Sequence, residues 1–469
     1  MPHSEVTTSA PASQDLIAAI VKSQRDFFSA GTSRDVEWRK SQLRLLKKVI
    51  KSKEADISAA LRADLGKSEF EAFTSEIGFL YEEINVALRN LDDWAAPRHV
   101  STPIVIAPAR SYVRYEPLGV VLVIAPWNYP FHLAMAPLVT AIAAGNCVVV
   151  KPSEISANTS RVIAEVIREA FRPGFVACVN GGQDVSTELL KQRFDHIFFT
   201  GGSAVGRVVM RAAAEYLTPV TLELGGKSPC FVDATTDLKV AARRIVWGKF
   251  FNAGQTCVAP DYLLVEEKIE ENLVRHMKAA IRDFYGIDPM QSPDFGRIVN
   301  ERHFDRLVSL LQGAQVLCGG NHDRASRYFS PTLVSAPEDS HLLMQEEIFG
   351  PILPVKTWRT VEEARSFIEA RQKPLALYCF TRDEEIRAML VDGVSFGGGC
   401  VNSTLVHLAN PELPFGGVGE SGMGRYHGRD GFLTFSHQKS IVDAALRPDI
   451  PLKYPPYAGR LKWLKALVR

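Results

Sequence analysis

Through residues 15–94 apolar positions recur every three or four residues, as in Leu43, Leu46, Val49, Ile50, Ile57 and Leu61, with basic residues on the opposite face. That period predicts amphipathic helices laid over a core. Across 97–113 the pattern becomes extended and proline-punctuated (Thr102-Pro103-Ile104-Val105-Ile106-Ala107-Pro108), which suits a β arm or hairpin better than a core strand, because proline cannot donate to a ladder. An arm of that kind suits contact with a second subunit.

From residue 119 short continuous apolar runs alternate with helical periods. Strands are expected at 119–124 and 147–150, with helices at 132–143 and 158–171, and the segments 176–180, 188–192, 195–199 and 203–216 continue the alternation. A second set follows from 228 to about 390, with strands at 230–232 and 262–265 and charged helices near 237–251 and 268–284; residues 436–444 read as a closing strand. Buried strands alternating with helices predict an α/β fold with a parallel, doubly wound sheet, whose ligands lie at the carboxyl ends of the strands. The informative residues are accordingly expected just after strands. The apolar stretch 119–150 is not read as a membrane span, since Asn128, His132, three prolines and Gly145-Asn146 interrupt it.

The chain has 469 residues, room for about three conventional domains or two large ones. With 46% hydrophobic residues, 23% charged residues and a net charge of +1, it has no bulk field to draw nucleic acid, so small ligands are expected and nucleic acid is not. The seven cysteines are odd in number and scattered, without CxxC pairs or zinc spacing, which fits reduced thiols in a cytoplasmic protein and no metal site. Residues 1–14 lack the basic and apolar regions of a signal peptide and read as a disordered lead-in.

Two stretches carry the candidate chemistry. Phe251-Asn252-Ala253-Gly254-Gln255-Thr256-Cys257 delivers a thiol among small uncharged neighbours, and Leu222-Glu223-Leu224-Gly225-Gly226-Lys227 offers a carboxylate. A thiol and a base suggest acyl chemistry through a thioester, although a lone cysteine is more often an inert core residue. Gly201-Gly202-Ser203-Ala204-Val205-Gly206 follows a strand and opens a helix, so it is either a tight turn or a phosphate cradle. Gly417-Val418-Gly419-Glu420-Ser421-Gly422 matches a dinucleotide fingerprint in letters only, having no strand-and-helix pair around it. Lys151-Pro152-Ser153-Glu154 is either a solvated turn or a pair of ribose anchors. Asn128, between Pro126-Trp127 and Tyr129-Pro130, is either an Asx-turn residue or a neutral oxyanion donor.

Taken with Phe199-Thr200-Gly201, Glu346-Glu347-Ile348-Phe349-Gly350-Pro351 and Pro414-Phe415-Gly416-Gly417, these motifs resemble the aldehyde dehydrogenase superfamily in order and spacing over nearly the whole chain. Cys257-Val258-Ala259-Pro260-Asp261-Tyr262 and Ser421-Gly422-Met423-Gly424-Arg425-Tyr426-His427-Gly428 resemble its class 3 branch, which includes fatty and aromatic aldehyde oxidisers. The resemblance implies Cys257 as nucleophile, Glu223 as general base, and Asn128 with the Cys257 N–H as oxyanion hole. It implies NAD, with NADP tolerated, held by Trp127, Lys151, Glu154, Gly201, Gly202, Ser203, Gly206, Leu224, Glu347 and Phe349. Gly202 departs from relatives that carry serine there, leaving more room. Glu223 argues for hydrolysis to the free acid over a CoA-acylating or reductive relative, and the intact catalytic set opposes a non-catalytic dinucleotide-binding protein.

The implied organisation is a Rossmann-like cofactor domain (15–96 and 115–222), a second α/β catalytic domain (223–430), a small β oligomerisation arm (97–114 and 431–447) and a tail (448–469), assembled as a homodimer. Within the tail, residues 459–469 form a short basic amphipathic segment, too short to span a bilayer, that either packs on its own protein or makes peripheral membrane contact. Tyr81, Trp127, Tyr129 and 406–408 are candidate walls of the substrate pocket; His407 and His427 are expected to be loop hydrogen-bonders.

Overall fold

The structure is a computed structural model that describes residues 14–468. The lead-in expected for 1–14 lies outside the described residues except for Gln14, which opens the first helix, Gln14–Ser29. Helices Val36–Ser52, Glu54–Leu65 and Gly78–Ala95 follow, bearing the predicted apolar stripe: Leu43, Leu46, Val49, Ile50, Ile57 and Leu61 are all buried. Fully burying each such side chain contributes about 1.5–3 kcal/mol, so this layer is held by its stripe more than by helix propensity.

The first sheet has the order Gly422–Met423, Val220–Glu223, His196–Thr200, Val120–Ile124, Cys147–Lys151, Val176–Cys178, and its five longer strands are parallel. The chain starts in the middle at Val120–Ile124, runs outward one way, then crosses to His196–Thr200 on the other side. That reversal leaves a crevice at the carboxyl ends of these two central strands. Helix His132–Ala144 is buried on every side, which explains why its apolar pattern has no period. Helix Gln183–Leu190 replaces the element expected at 188–192, beginning right after Gly182.

The second sheet has seven strands, in the order Val316–Cys318, Thr332–Ser335, Ile352–Trp358, Tyr262–Glu266, Pro229–Val232, Ala376–Phe380, Gly398–Val401, parallel except at its first pair. The third is the arm: Ala109–Pro117 pairs antiparallel with Arg98–Val100 on one side and with Ser436–Ala444 on the other. Within the arm Ile104–Ile106 is a 3-10 turn instead of the expected extended run, because Pro103 and Pro108 bracket it. Packing returns to the first sheet at 422, ahead of residue 430. Gly422–Met423 adds an antiparallel edge beside Val220–Glu223, while Tyr426 and Phe435 pack on Phe198 at ring distances of 5.0 and 5.9 Å.

Not every informative residue follows a strand. Cys257 precedes Tyr262–Glu266, and Glu347 precedes Ile352–Trp358. They nevertheless share cavities with Thr200 and Glu223, which end strands of the first sheet. The cleft therefore lies where the carboxyl edge of the first sheet meets the amino edge of the second, a juxtaposition that a strand-by-strand reading cannot anticipate.

Candidate active site

Asn252, Ala253 and Gly254 have φ of 53°, 51° and 74°, three successive left-handed residues. Each non-glycine residue there costs roughly 1–2 kcal/mol, so the turn must be fastened. Two side chains fasten it. Asn252 Nδ2 donates to Asn128 O at 2.8 Å and to Gln255 O at 3.1 Å, while Gln255 Nε2 donates to Asn252 O at 3.1 Å and to Arg297 O at 2.9 Å, and Gln255 Oε1 accepts from Val299 N at 2.9 Å. The small residues before Cys257 thus provide a rigid delivery of the thiol as well as open space.

Cys257 stands at the junction of two cavities, of about 420 and 260 Å³, and Glu223, Leu224, Thr200 and Leu133 line both with it. The larger is walled by Phe70, Phe79, Trp247, Phe251 and Phe415, and Tyr129, Val406 and Leu408 are also in its lining as expected. Tyr81 is not; its hydroxyl donates to Glu54 Oε2 at 2.8 Å and its ring packs edge-on to Phe73. Trp127 faces the smaller cavity instead, with Phe349 edge-on at 5.3 Å. His427 lines the larger cavity, buried and paired with Glu83, whereas His407 Nδ1 lies 3.4 Å from Cys400 Sγ.

Burial pushes the Cys257 thiol up to about 12, with the nearby Glu347 and Glu223 carboxylates adding to the effect and the Cys257 and Val258 backbone N–H groups opposing it. The resting sulfur is therefore a thiol. Glu223 is buried with neither oxygen hydrogen-bonded, and that desolvation holds its carboxyl well above the usual range. A thiol and a carboxylate whose proton affinity burial has raised face one junction, which suits passage of a proton from sulfur to Glu223 when an electrophile arrives. Asn128 is buried, and its Nδ2 donates one hydrogen to Gln255 O at 3.1 Å, leaving a second for another acceptor.

The smaller cavity gathers Pro126, Trp127 and Asn128 from one strand end, Gly201 and Gly202 from the next, and Gly225, Glu347 and Phe349. A Cβ on Gly225 would lie 2.1 Å from Glu347 Oε2, so this glycine is what lets the carboxylate settle against the chain. Glu347 is raised to about 8, by burial first and by Asp261 next, and its Oε1 has no partner. Lys227 fixes that segment: its ammonium pairs with Asp261 and donates to Leu343 O and Glu346 O, both at 2.8 Å, while Asp261 Oδ1 accepts from Ile348 N at 2.9 Å. Gly202 has open space, with nothing within 4 Å of a Cβ placed there. Ser203 opens the helix Ser203–Ala214, its Oγ 3.5 Å from Glu420 O. Gly206 is a packing position, for a Cβ there would press on Leu224 Cδ2 at 2.8 Å. Lys151 and Glu154 form an ion pair of 2.6 Å, the lysine buried and the glutamate half open.

An orphaned buried acceptor, an open glycine at a helix N-terminus and the Lys151–Glu154 pair are a donor and acceptor set that fits a dinucleotide. Sequence reasoning missed His303 and Arg306 in this cavity, and the buried Lys67–Glu76 pair bonded to the Asn128 carbonyl, because none of these lies in a recognisable local pattern.

A sequence model described as the aldehyde dehydrogenase family matches residues 2–441. The chain is 48% identical over 444 residues to aldehyde dehydrogenase family 3 member A2 of Mus musculus, covering 94% of this chain and 92% of that one. It is 46% identical over 447 residues to the dimeric NADP-preferring aldehyde dehydrogenase of Rattus norvegicus, covering 95% and 99%. Among solved structures, the substrate-bound state of Staphylococcus aureus AldH superposes with a TM-score of 0.95 at 47% identity, covering 97% of this chain and 99% of that one.

Proposed function

The chain belongs to the aldehyde dehydrogenase family and oxidises aldehydes with NAD or NADP; on that premise we propose that Cys257 carries the acyl group, that Glu223 is the general base, and that the substrates are medium- or long-chain aliphatic or aromatic aldehydes. The observation that carries this reading is the shared position of Cys257 and Glu223 between a cavity walled by aromatic rings and a second one lined by glycines and carboxylates.

The Cys257 thiol gives up its proton as the C–S bond forms, and Glu223 is the carboxylate placed to receive it. The resulting oxyanion is met by the second amide hydrogen of Asn128 and the Cys257 N–H; removing one such donor typically costs roughly 10²–10³ in kcat. NAD(P), when bound, supplies the acceptor for the hydride that leaves the former aldehyde carbon. Cys257 then holds a thioester. Once Glu223 has passed the thiol proton to solvent, it draws a proton from water as the water attacks that carbon; the C–S bond breaks, that proton returns to the Cys257 sulfur, and the product is the free carboxylic acid. Trp127, Gly201, Gly202, Ser203, Leu224, Glu347 and Phe349 hold the cofactor, with Lys151 and Glu154 at its adenosine ribose and Gly206 keeping the helix close. Glu154 disfavours a 2′-phosphate while the room at Gly202 tolerates it, which supports use of both cofactors.

The arm, with Ile104, Val105, Ile106 and Val442 exposed, supports a homodimer. The helix Leu461–Val468 sits beside Ile104–Ile106 with Leu461 and Trp463 exposed next to Lys462 and Lys465, which supports peripheral contact with a lipid surface by a cytoplasmic protein. Among the described residues no helix is long and apolar enough to cross a membrane.

The test follows the near-ultraviolet absorbance of the reduced nicotinamide with hexanal, a long-chain aldehyde and benzaldehyde, against NAD and NADP in turn, without CoA. Reduction lost in Cys257→Ala is expected, and in Glu223→Gln both the first turnover and the hydrolysis that follows should slow, because the same carboxylate receives the thiol proton and activates water. A product that forms only with CoA, or reduction unchanged in Cys257→Ala, would overturn the reading.

A further inference from the structure

Lys67 and Glu76 form an ion pair whose side chains are both 0% exposed. Burying two charges costs several kcal/mol each, and an apolar pair of similar volume is often as stable, so a reason other than stability is worth seeking. Their remaining side-chain partners indicate one. Lys67 Nζ donates to Asn128 O at 3.2 Å and lies 4.0 Å from the centre of the Tyr129 ring. Glu76 Oε2 accepts from Phe131 N at 2.8 Å and His132 N at 3.1 Å, the entrance to the buried helix His132–Ala144. Apart from each other, both residues direct their side-chain hydrogen bonds and ring contact to residues 128–132, with the buried Glu71 carboxyl also near enough to Lys67 to feel its charge.

That segment ties the helical layer to the nucleophile's loop. Asn128 O also accepts from Asn252 Nδ2, and the Tyr129 hydroxyl lies 2.6 Å from Thr256 Oγ1, one residue before Cys257. Glu76 can reach the segment because it sits in a single π-helical turn, Phe73–Ile77, whose extra residue rotates the helix face. Thr74 and Ser75 of the same turn line the larger cavity while Glu76 points inward to Lys67.

We propose that Lys67 and Glu76 are positioning residues for the oxyanion donor: they clamp the chain on both sides of Tyr129, so that the second amide hydrogen of Asn128 is directed at the oxygen borne on the carbon that Cys257 attacks. This rests on the role assigned to Asn128 above. It makes the pair a component of transition-state stabilisation without contact with substrate, and it accounts for a buried charge pair next to an apolar cavity.

The test is a cycle of Lys67→Met/Glu76→Gln against Asn128→Ala, read as kcat, aldehyde KM, cofactor affinity by fluorescence and thermal melting. Displacing a donor by about 1 Å costs up to roughly 100-fold, so the pair variant should lose about 10- to 100-fold in kcat with cofactor affinity unchanged. In the Asn128→Ala background the same change should cost less than about twofold, because the donor it orients is gone. An equal loss in both backgrounds, or an unchanged kcat in the first, would overturn the proposal. If Asn128→Ala alone leaves kcat intact, the oxyanion assignment falls and this proposal with it. Should the double variant fail to fold, Lys67→Arg, which keeps the charge but replaces the single ammonium with a fork, enters the same cycle with the same criteria.

Discussion

Gly225→Ala separates the geometry of Glu347 from the stability of the fold. The backbone at 225 needs no left-handed conformation, and the three nearest neighbours of an added Cβ belong to the Glu347 carboxyl group, at 2.1, 2.5 and 2.6 Å. Ordinary contact begins near 3.4 Å, so the carboxylate must retreat by more than an ångström. It can do so at modest cost. Oε1 has no hydrogen bond to lose, but the carboxyl group accepts from the Gly226 backbone N–H, a bond worth about 0.5–1.5 kcal/mol, and an off-rotamer side chain costs about 0.5–1.5 kcal/mol; the lower unfolded-state entropy of alanine offsets about 0.4–1 kcal/mol of this. The net loss of stability is about 1 kcal/mol, whereas misplacing a positioning group by that distance can cost about 10²-fold in rate. The assay is thermal unfolding beside steady-state kinetics and cofactor binding. We expect Tm within about 3 °C of the parent, a loss of one to two orders of magnitude in kcat/KM for cofactor, and little further loss when Glu347→Gln is added. A large fall in Tm with normal kinetics would refute the reasoning, since it would mean the chain at 225 had yielded while Glu347 stayed in place.

Gly254→Ala should behave in the opposite way. Its φ of 74° is left-handed and its Cβ would meet the backbone Gly350 O at 2.3 Å, so several kcal/mol of stability should go with it, read as a lower denaturant midpoint; an unchanged midpoint would show that the 252–254 turn is not rigid. In the cofactor-free protein, alkylation of Cys257 by iodoacetamide should be slow at neutral pH and rise about tenfold per pH unit without a plateau below about pH 10, because burial and two carboxylates hold the thiol up near 12. A plateau near neutrality would mean a pre-formed thiolate.

The candidate chemistry-bearing residues stand out in short segments. Cys257 after a run of small residues, Glu223 at the end of a strand and the glycine turn at 201–206 are local patterns, and each backbone segment folds as its own window of sequence specifies. The same holds for the buried strands Val120–Ile124 and Cys147–Lys151, because an apolar run bounded by turn signals reports that an element meets the core. Periodicity says nothing of which element is met. The facing of one sheet's carboxyl edge by the other's amino edge, the return of Gly422–Met423 to the first sheet, the fastening of 252–254 by Asn252 and Gln255, the settling of Glu347 onto Gly225 and the burial of Lys67 with Glu76 all join residues that are distant in sequence or whose partners depend on how the chain crosses. Tyr81 illustrates the limit: its sequence suits a pocket wall, yet the packing of its helix turns the hydroxyl to Glu54. The sequence nominates the candidate participants of the reaction, since these are residue types at local positions; their distances, burial and proton affinities belong to the tertiary structure, since electrostatics and close packing act through space and not along the chain.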